Sequence, residues 1–198
     1  MTCSLLTPAI LAVCVHAQES SSESRGPLRY TYVDALYQYH DYKKDEVNGG
    51  NGFKLALSIS PIPILFFTGS AAFSKADSVF ESSQVKEFHG ALGGGAYLPI
   101  GGILHLVGEV GALYSKVNTD LQDLHADNAG LYFKPAVRVA LGDRVEVNGG
   151  VTLTTVENET TQLNLGLGVD VADHVRVMGQ VDFGDTENVI SAGLRLQW

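Results

Sequence analysis

Val189-Ile190-Ser191-Ala192-Gly193-Leu194-Arg195-Leu196-Gln197-Trp198 closes the chain and decides its fold class. Ile190, Ala192, Leu194, Leu196 and Trp198 form one apolar row, and Ser191, Gly193, Arg195 and Gln197 form the opposite, polar row. Period-2 alternation defines a β-strand with one greasy and one wet face.

The pattern repeats backwards through the chain. Asp34, Gln38 and His40 oppose Val33, Ala35, Tyr37 and Tyr39; Lys54 and Ser58 oppose Phe53, Leu55, Leu57 and Ile59. Thr68, Ser70 and Ser74 oppose Leu65, Phe67, Ala71 and Phe73; Glu87, His89 and Tyr97 oppose Phe88, Leu92, Ala96 and Leu98. His105, Glu109 and Ser115 oppose Leu106, Val110 and Tyr114, and Lys134 and Arg138 oppose Phe133 and Val137. Glu146, Asn148 and Thr152 oppose Val145, Val147 and Val151; Asn164 and Asp170 oppose Leu163, Leu165 and Leu167; Arg176, Gln180 and Asp182 oppose Val175, Val177 and Phe183. Ten strands are predicted, with eight left open if two segments are extended loop ribs.

Composition agrees. The chain has 198 residues, room for one domain, with 22 glycines and only 18% charged residues. A net charge of −9 argues against nucleic acid, whose phosphates require a basic face. No apolar run approaches the roughly 20 residues of a membrane helix. Residues 1–17 read as a secretory signal peptide: an apolar core from Leu5 to Val15, then Val15-His16-Ala17 as a cleavage site. The segment lacks the Lys or Arg such peptides usually carry. Leu11-Ala12-Val13-Cys14 is a poor lipidation box because of Val13. Both cysteines, Cys3 and Cys14, fall here, leaving the mature chain without disulfide or thiolate chemistry. Residues 18–28 read as a polar, flexible lead-in and 29–198 as the barrel.

Connections at 61–63, 99–102, 142–143 and 172–174 are short. Those at 43–52, 75–86, 116–127, 156–161 and 184–188 are longer and more polar. Short and long connections alternating between strands fit an up-and-down antiparallel transmembrane β-barrel with short periplasmic turns and longer outer loops. A soluble ligand-binding barrel in the periplasm also alternates. It would have to fill its interior with all the Leu, Val and Phe of the apolar row. It would also have no use for Tyr37, Tyr39, Phe73, Phe88, Tyr114 and Phe183 near strand ends, where a membrane barrel carries an aromatic girdle.

From Tyr30-Thr31-Tyr32-Val33 to Leu196-Gln197-Trp198 the pattern resembles the small proteobacterial outer-membrane barrels of OmpA/OmpX type, including ten-stranded members. The resemblance implies a bacterial outer-membrane location among lipid and lipopolysaccharide, and assembly by the barrel-insertion machinery. It also implies that Leu194, Leu196 and Trp198 act as the insertion signal. It implies no activity.

Asp34, Lys54, Glu87, Glu109, Lys134, Arg138, Glu146, Asp170, Arg176, Asp182 and Arg195 are expected to form a charge network in the lumen; Arg144 joins the same polar row. Lys134 and Arg138 stand about 13 Å apart along one strand, with Glu87 and Glu109 nearby. Buried charges must be paired, so the bland reading is a salt-bridged plug; the sharper one is a narrow pore for small solutes. His40 precedes Asp41, and His125 lies near Asp127, but no Gly-x-Ser-x-Gly is present, so no catalytic residue is assigned. Asp45, Glu46, Asp77, Glu81, Asp120, Asp123, Asp127, Glu157, Glu159, Asp185 and Glu187 are expected in acidic outer loops that could meet a surface ligand. Asp120, Asp123 and Asp127 lack EF-hand spacing. Asn48-Gly49-Gly50-Asn51-Gly52 reads as a loop tip, not a phosphate loop. No metal or cofactor is expected. The expected function is a non-enzymatic outer-membrane protein, structural or surface-interacting, with a largely filled lumen.

Overall fold

A computed structural model describes residues 28–43, 47–78, 84–119, 125–156 and 161–198. The proposed signal peptide and most of the lead-in lie outside the described residues. So do Asp45, Glu46, Glu81, Asp120, Asp123, Glu157 and Glu159.

Ten antiparallel strands follow one another: β1 (Tyr32–Tyr42), β2 (Val47–Ile62), β3 (Leu65–Ser78), β4 (Gln84–Ile100), β5 (Leu104–Thr119), β6 (His125–Leu141), β7 (Val145–Thr154), β8 (Thr161–Ala172), β9 (Val175–Gly184) and β10 (Glu187–Gln197). Each pairs with its chain neighbours, and β10 returns to β1 in unbroken register from Tyr42↔Glu187 to Tyr32↔Gln197. Closure leaves no free sheet edge, the condition for spanning lipid with strands. The question of eight or ten strands is thereby settled as ten.

The alternation sorts the faces. Leu55, Phe67, Leu92, Val110, Leu131, Leu165 and Leu194 are exposed on the outside, whereas Asp34, Arg138, Glu146, Arg176 and Arg195 are buried inside. Such an inside-out distribution is stable only if the outer surface meets hydrocarbon. Five outward rings form a row near the loop end: Tyr37 meets Phe53 at 6.0 Å between ring centroids, Phe73 meets Phe88 at 4.8 Å, and Phe88 meets Tyr114 at 6.3 Å. Phe53 and Phe73 sit opposite one another in the β2–β3 register.

The strands run longer than the sequence pattern suggests, up to 17 residues in β4 and β6, and the loops are correspondingly shorter. The expected loop tip 48–52 lies in β2. Gly50 and Gly52 pair with His40 and Gln38, and a side chain at either glycine would collide with β3 backbone. Their missing side chains leave room for the neighbouring Tyr42 and His40 rings. The 61–63 turn moves as well. β2 continues to Ile62 across a register shift after Ile59, which accommodates Pro61, and the turn falls at residues 63–64. Arg144 is exposed in the 142–144 turn, not in the lumen. Glu187, expected in a loop, is buried in β10, and Asp127 belongs to β6.

The barrel lumen as the candidate functional site

Tyr30 precedes β1 but keeps its inward parity, two residues before Tyr32 and four before Asp34. Its ring stacks on Tyr97 of β4, with centroids 3.9 Å apart and planes 2° off parallel. Phe66 of β3 lies at 5.3 Å and His105 of β5 at 5.7 Å from it. The Tyr30 hydroxyl bonds the His105 Nδ1 at 3.1 Å, while the Ser58 hydroxyl donates to the Tyr30 carbonyl at 2.7 Å. Burial raises the Tyr30 hydroxyl to about 12, so the ring remains a neutral phenol. The backbone on either side is held too. Arg29 donates to the Asp173 carbonyl at 2.9 Å, and Arg138 donates to the Arg29 carbonyl at 3.1 Å.

The other half of this floor is ionic. Arg138, with its guanidinium 4.3 Å from the Tyr30 ring, grips Glu146 through Nε and Nη2 at 2.7 and 2.9 Å. Glu146 also accepts from Arg176, which makes a second two-point contact with Asp170 at 2.6 and 3.0 Å. Gln197 donates to Asp170 at 2.9 Å. Arg176 is 0% exposed and Glu146 1%. Gly168 makes this possible, since a side chain there would occupy the place of the Arg176 Cδ. Beside this chain of charges, Arg195 holds Asp34 at 2.7 and 2.8 Å and lies 3.6 Å above the Tyr32 ring. Charge-assisted two-point bonds of this kind fix geometry as well as charge.

Above the floor the lumen is not filled. A cavity of about 340 Å³ is bordered by Lys54, Thr68, Glu109, Lys134, Asn148 and Asp182 among others. Glu109 accepts from the Thr68 and Tyr132 hydroxyls, each at 2.6 Å, and not from Lys134, its cross-strand neighbour. Asp182 accepts from Asn164 at 2.8 Å and Gln180 at 2.7 Å. Among the described residues Lys54 and Lys134 make no ion pair. Glu87 belongs to a third level near the loops, where it accepts from Tyr42 at 3.1 Å and Ser74 at 3.3 Å. There His40 meets Glu187 at 2.9 Å instead of Asp41, which points outward.

Among the described residues the expected network therefore falls into three separate levels and not one continuous plug. The lysines break the expected pairing because water in the cavity can solvate them, which a dry interior could not do. Leu194, Leu196 and Trp198 all face outward, and the Trp198 amide donates to the Thr31 carbonyl at 3.1 Å. The residues missed by sequence reasoning are Tyr30, Phe66 and the glycines Gly93 and Gly111 under Tyr132. Parity was the available signal for Tyr30.

A closed ten-stranded barrel with an apolar exterior and a charged interior is an outer-membrane barrel. The chain belongs to the outer membrane protein beta-barrel domain family, whose profile matches residues 5–170, and its place is the bacterial outer membrane. No curated protein matches it in sequence. Among solved structures it is similar to the translocator domain of the autotransporter NalP from Neisseria meningitidis, at 11% identity, TM-score 0.50, covering 88% of this chain and 90% of that one. It is also similar to an outer-membrane channel from Pseudomonas putida F1, at 7% identity, TM-score 0.51, covering 91% of this chain and all of that one. The NanC porin gives 8% identity and TM-score 0.51, covering 84% of this chain and 100% of that one. At these identities the likeness is one of fold.

Proposed function

We propose that this protein is a non-enzymatic, non-conducting outer-membrane barrel, structural or surface-interacting, that faces the cell exterior with an open cavity and the periplasm with a closed floor. It reaches the membrane through a removable signal peptide and the barrel-assembly machinery. The observation that carries this is the floor. Tyr30, Tyr97 and His105 form a parallel stack, Arg138 covers Tyr30, and the Arg138–Glu146–Arg176–Asp170 chain runs across β6 to β9. A barrel of this size has little bore to spare once side chains fill it.

The second reading, a narrow porin, draws on the cavity and its two lysines. Solute efflux from liposomes carrying the refolded chain separates the two, with a heat-shift gel to show that the barrel has formed. Tight liposomes around a heat-shifting barrel support the closed floor. Efflux with a size cutoff makes the protein a pore.

A further inference from the structure

The charged groups on the cavity wall are unevenly matched. Its carboxylates are all engaged. Arg195 holds Asp34 at 2.7 and 2.8 Å, and Arg138 holds Glu146 at 2.7 and 2.9 Å. Glu109 is taken by the Thr68 and Tyr132 hydroxyls, and Asp182 by the Asn164 and Gln180 amides. The two lysines are not engaged. Among the described residues the Lys54 and Lys134 ammonium groups have neither an ion pair nor a hydrogen bond, although both residues border the cavity. Each ammonium carries three donors and no acceptor, so the wall has donors to spare for an anion.

The lysines stand on facing walls. Lys54 belongs to β2 and Lys134 to β6, with three strands between them one way round the closed barrel and five the other. Both are half-buried, within reach of the cavity and partly withdrawn from bulk water. The four cations and four carboxylates on the wall cancel, so the cavity has no overall field to collect anions in general. Attraction is confined to the two ammonium groups. A solute with one anionic group satisfies one of them, whereas a solute with an anionic group at each end satisfies both through charge-assisted hydrogen bonds. The volume of about 340 Å³ is at the small end of ligand pockets, which run from about 300 to 1,000 Å³. Leu36, Phe66 and Met178 add buried apolar wall, suited to a short methylene chain.

We infer that the lumen cavity binds a small aliphatic dicarboxylate, with one carboxylate on Lys54 and the other on Lys134. The inference deepens the reading of the lumen as a pocket open to the exterior above a closed floor, and rests on it for the side of entry.

Calorimetric titration of the chain refolded in detergent tests this, with succinate, glutarate and adipate as probes. Wild type should bind at least one of them, one per barrel, and should bind the monomethyl ester of the best binder at least tenfold more weakly. Lys54→Gln and Lys134→Gln, each still heat-shifting on gels, should each lose at least tenfold, while Arg144→Gln in the exposed turn should bind as wild type does. Absence of binding by wild type at millimolar probe, equal binding of the monoester, or equal binding by either folded lysine variant overturns the site. Solute efflux from liposomes judges the floor separately. A leaking barrel that binds the dicarboxylate keeps the site and removes the closed floor; a tight barrel that binds no probe keeps the floor and removes the site.

Discussion

The Tyr30 ring lies flat on Tyr97, with centroids 3.9 Å apart and planes 2° off parallel, although one stands just before β1 and the other in β4. The contact places an uncharged slab across the barrel mouth at the short-turn end. Tyr30→Ala removes the slab and the seat of the Arg138 guanidinium together. Liposomes carrying this variant should leak small solutes at least tenfold faster than those carrying wild type, with the heat shift on gels preserved. Equal leak rates would mean that the ionic half closes the floor alone.

Glu146 takes bonds from Arg138 and Arg176 while itself almost fully buried. Removing one partner of a buried ion pair strands the other and typically costs about 3–5 kcal/mol. Glu146→Gln should lose stability on that scale in urea titrations of the folded barrel in detergent. Lys54→Gln breaks no ion pair among the described residues and should stay within about 0.5 kcal/mol of wild type.

The glycines divide in the same way. A methyl at Gly111 would sit 2.5 Å from the Tyr132 ring and 2.7 Å from the Gly93 Cα. Gly111→Ala should therefore cost about 1–3 kcal/mol, as overpacking does. At Gly179 nothing lies within 4 Å of the added atom, and Gly179→Ala should leave the unfolding midpoint unchanged.

Leu165 is 47% exposed near the middle of β8. Arg at mid-bilayer on a lipid-facing position costs about 2–4 kcal/mol. Leu165→Arg should lower the yield of heat-shifting barrel in lipid vesicles. An undiminished yield would place this face away from the hydrocarbon.

The faces were legible in the sequence because parity is local. Arg195 cannot share a side with Leu194 and Leu196, and one wrong step would put every charge in lipid. Loop lengths were less legible, because Asn48 to Gly52 carry the composition of a turn. Only the fitting of the His40 and Tyr42 rings over Gly52 and Gly50 shows why glycine belongs in that strand. The charges could be assigned to the lumen but not to partners. Arg138 goes to Glu146, while Glu109 goes to Thr68 and Tyr132, because closure and stagger decide which residues share a level. Parity put Tyr30 on the inward face, but its hydroxyl partner His105, 75 residues away, could be found only in the closed barrel.

Planar-bilayer recording of wild type beside Tyr30→Ala tests the closed floor most directly. The account predicts no steady unit conductance from folded wild type and a small, steady step from the variant. A steady step from wild type that Tyr30→Ala leaves unchanged would contradict it.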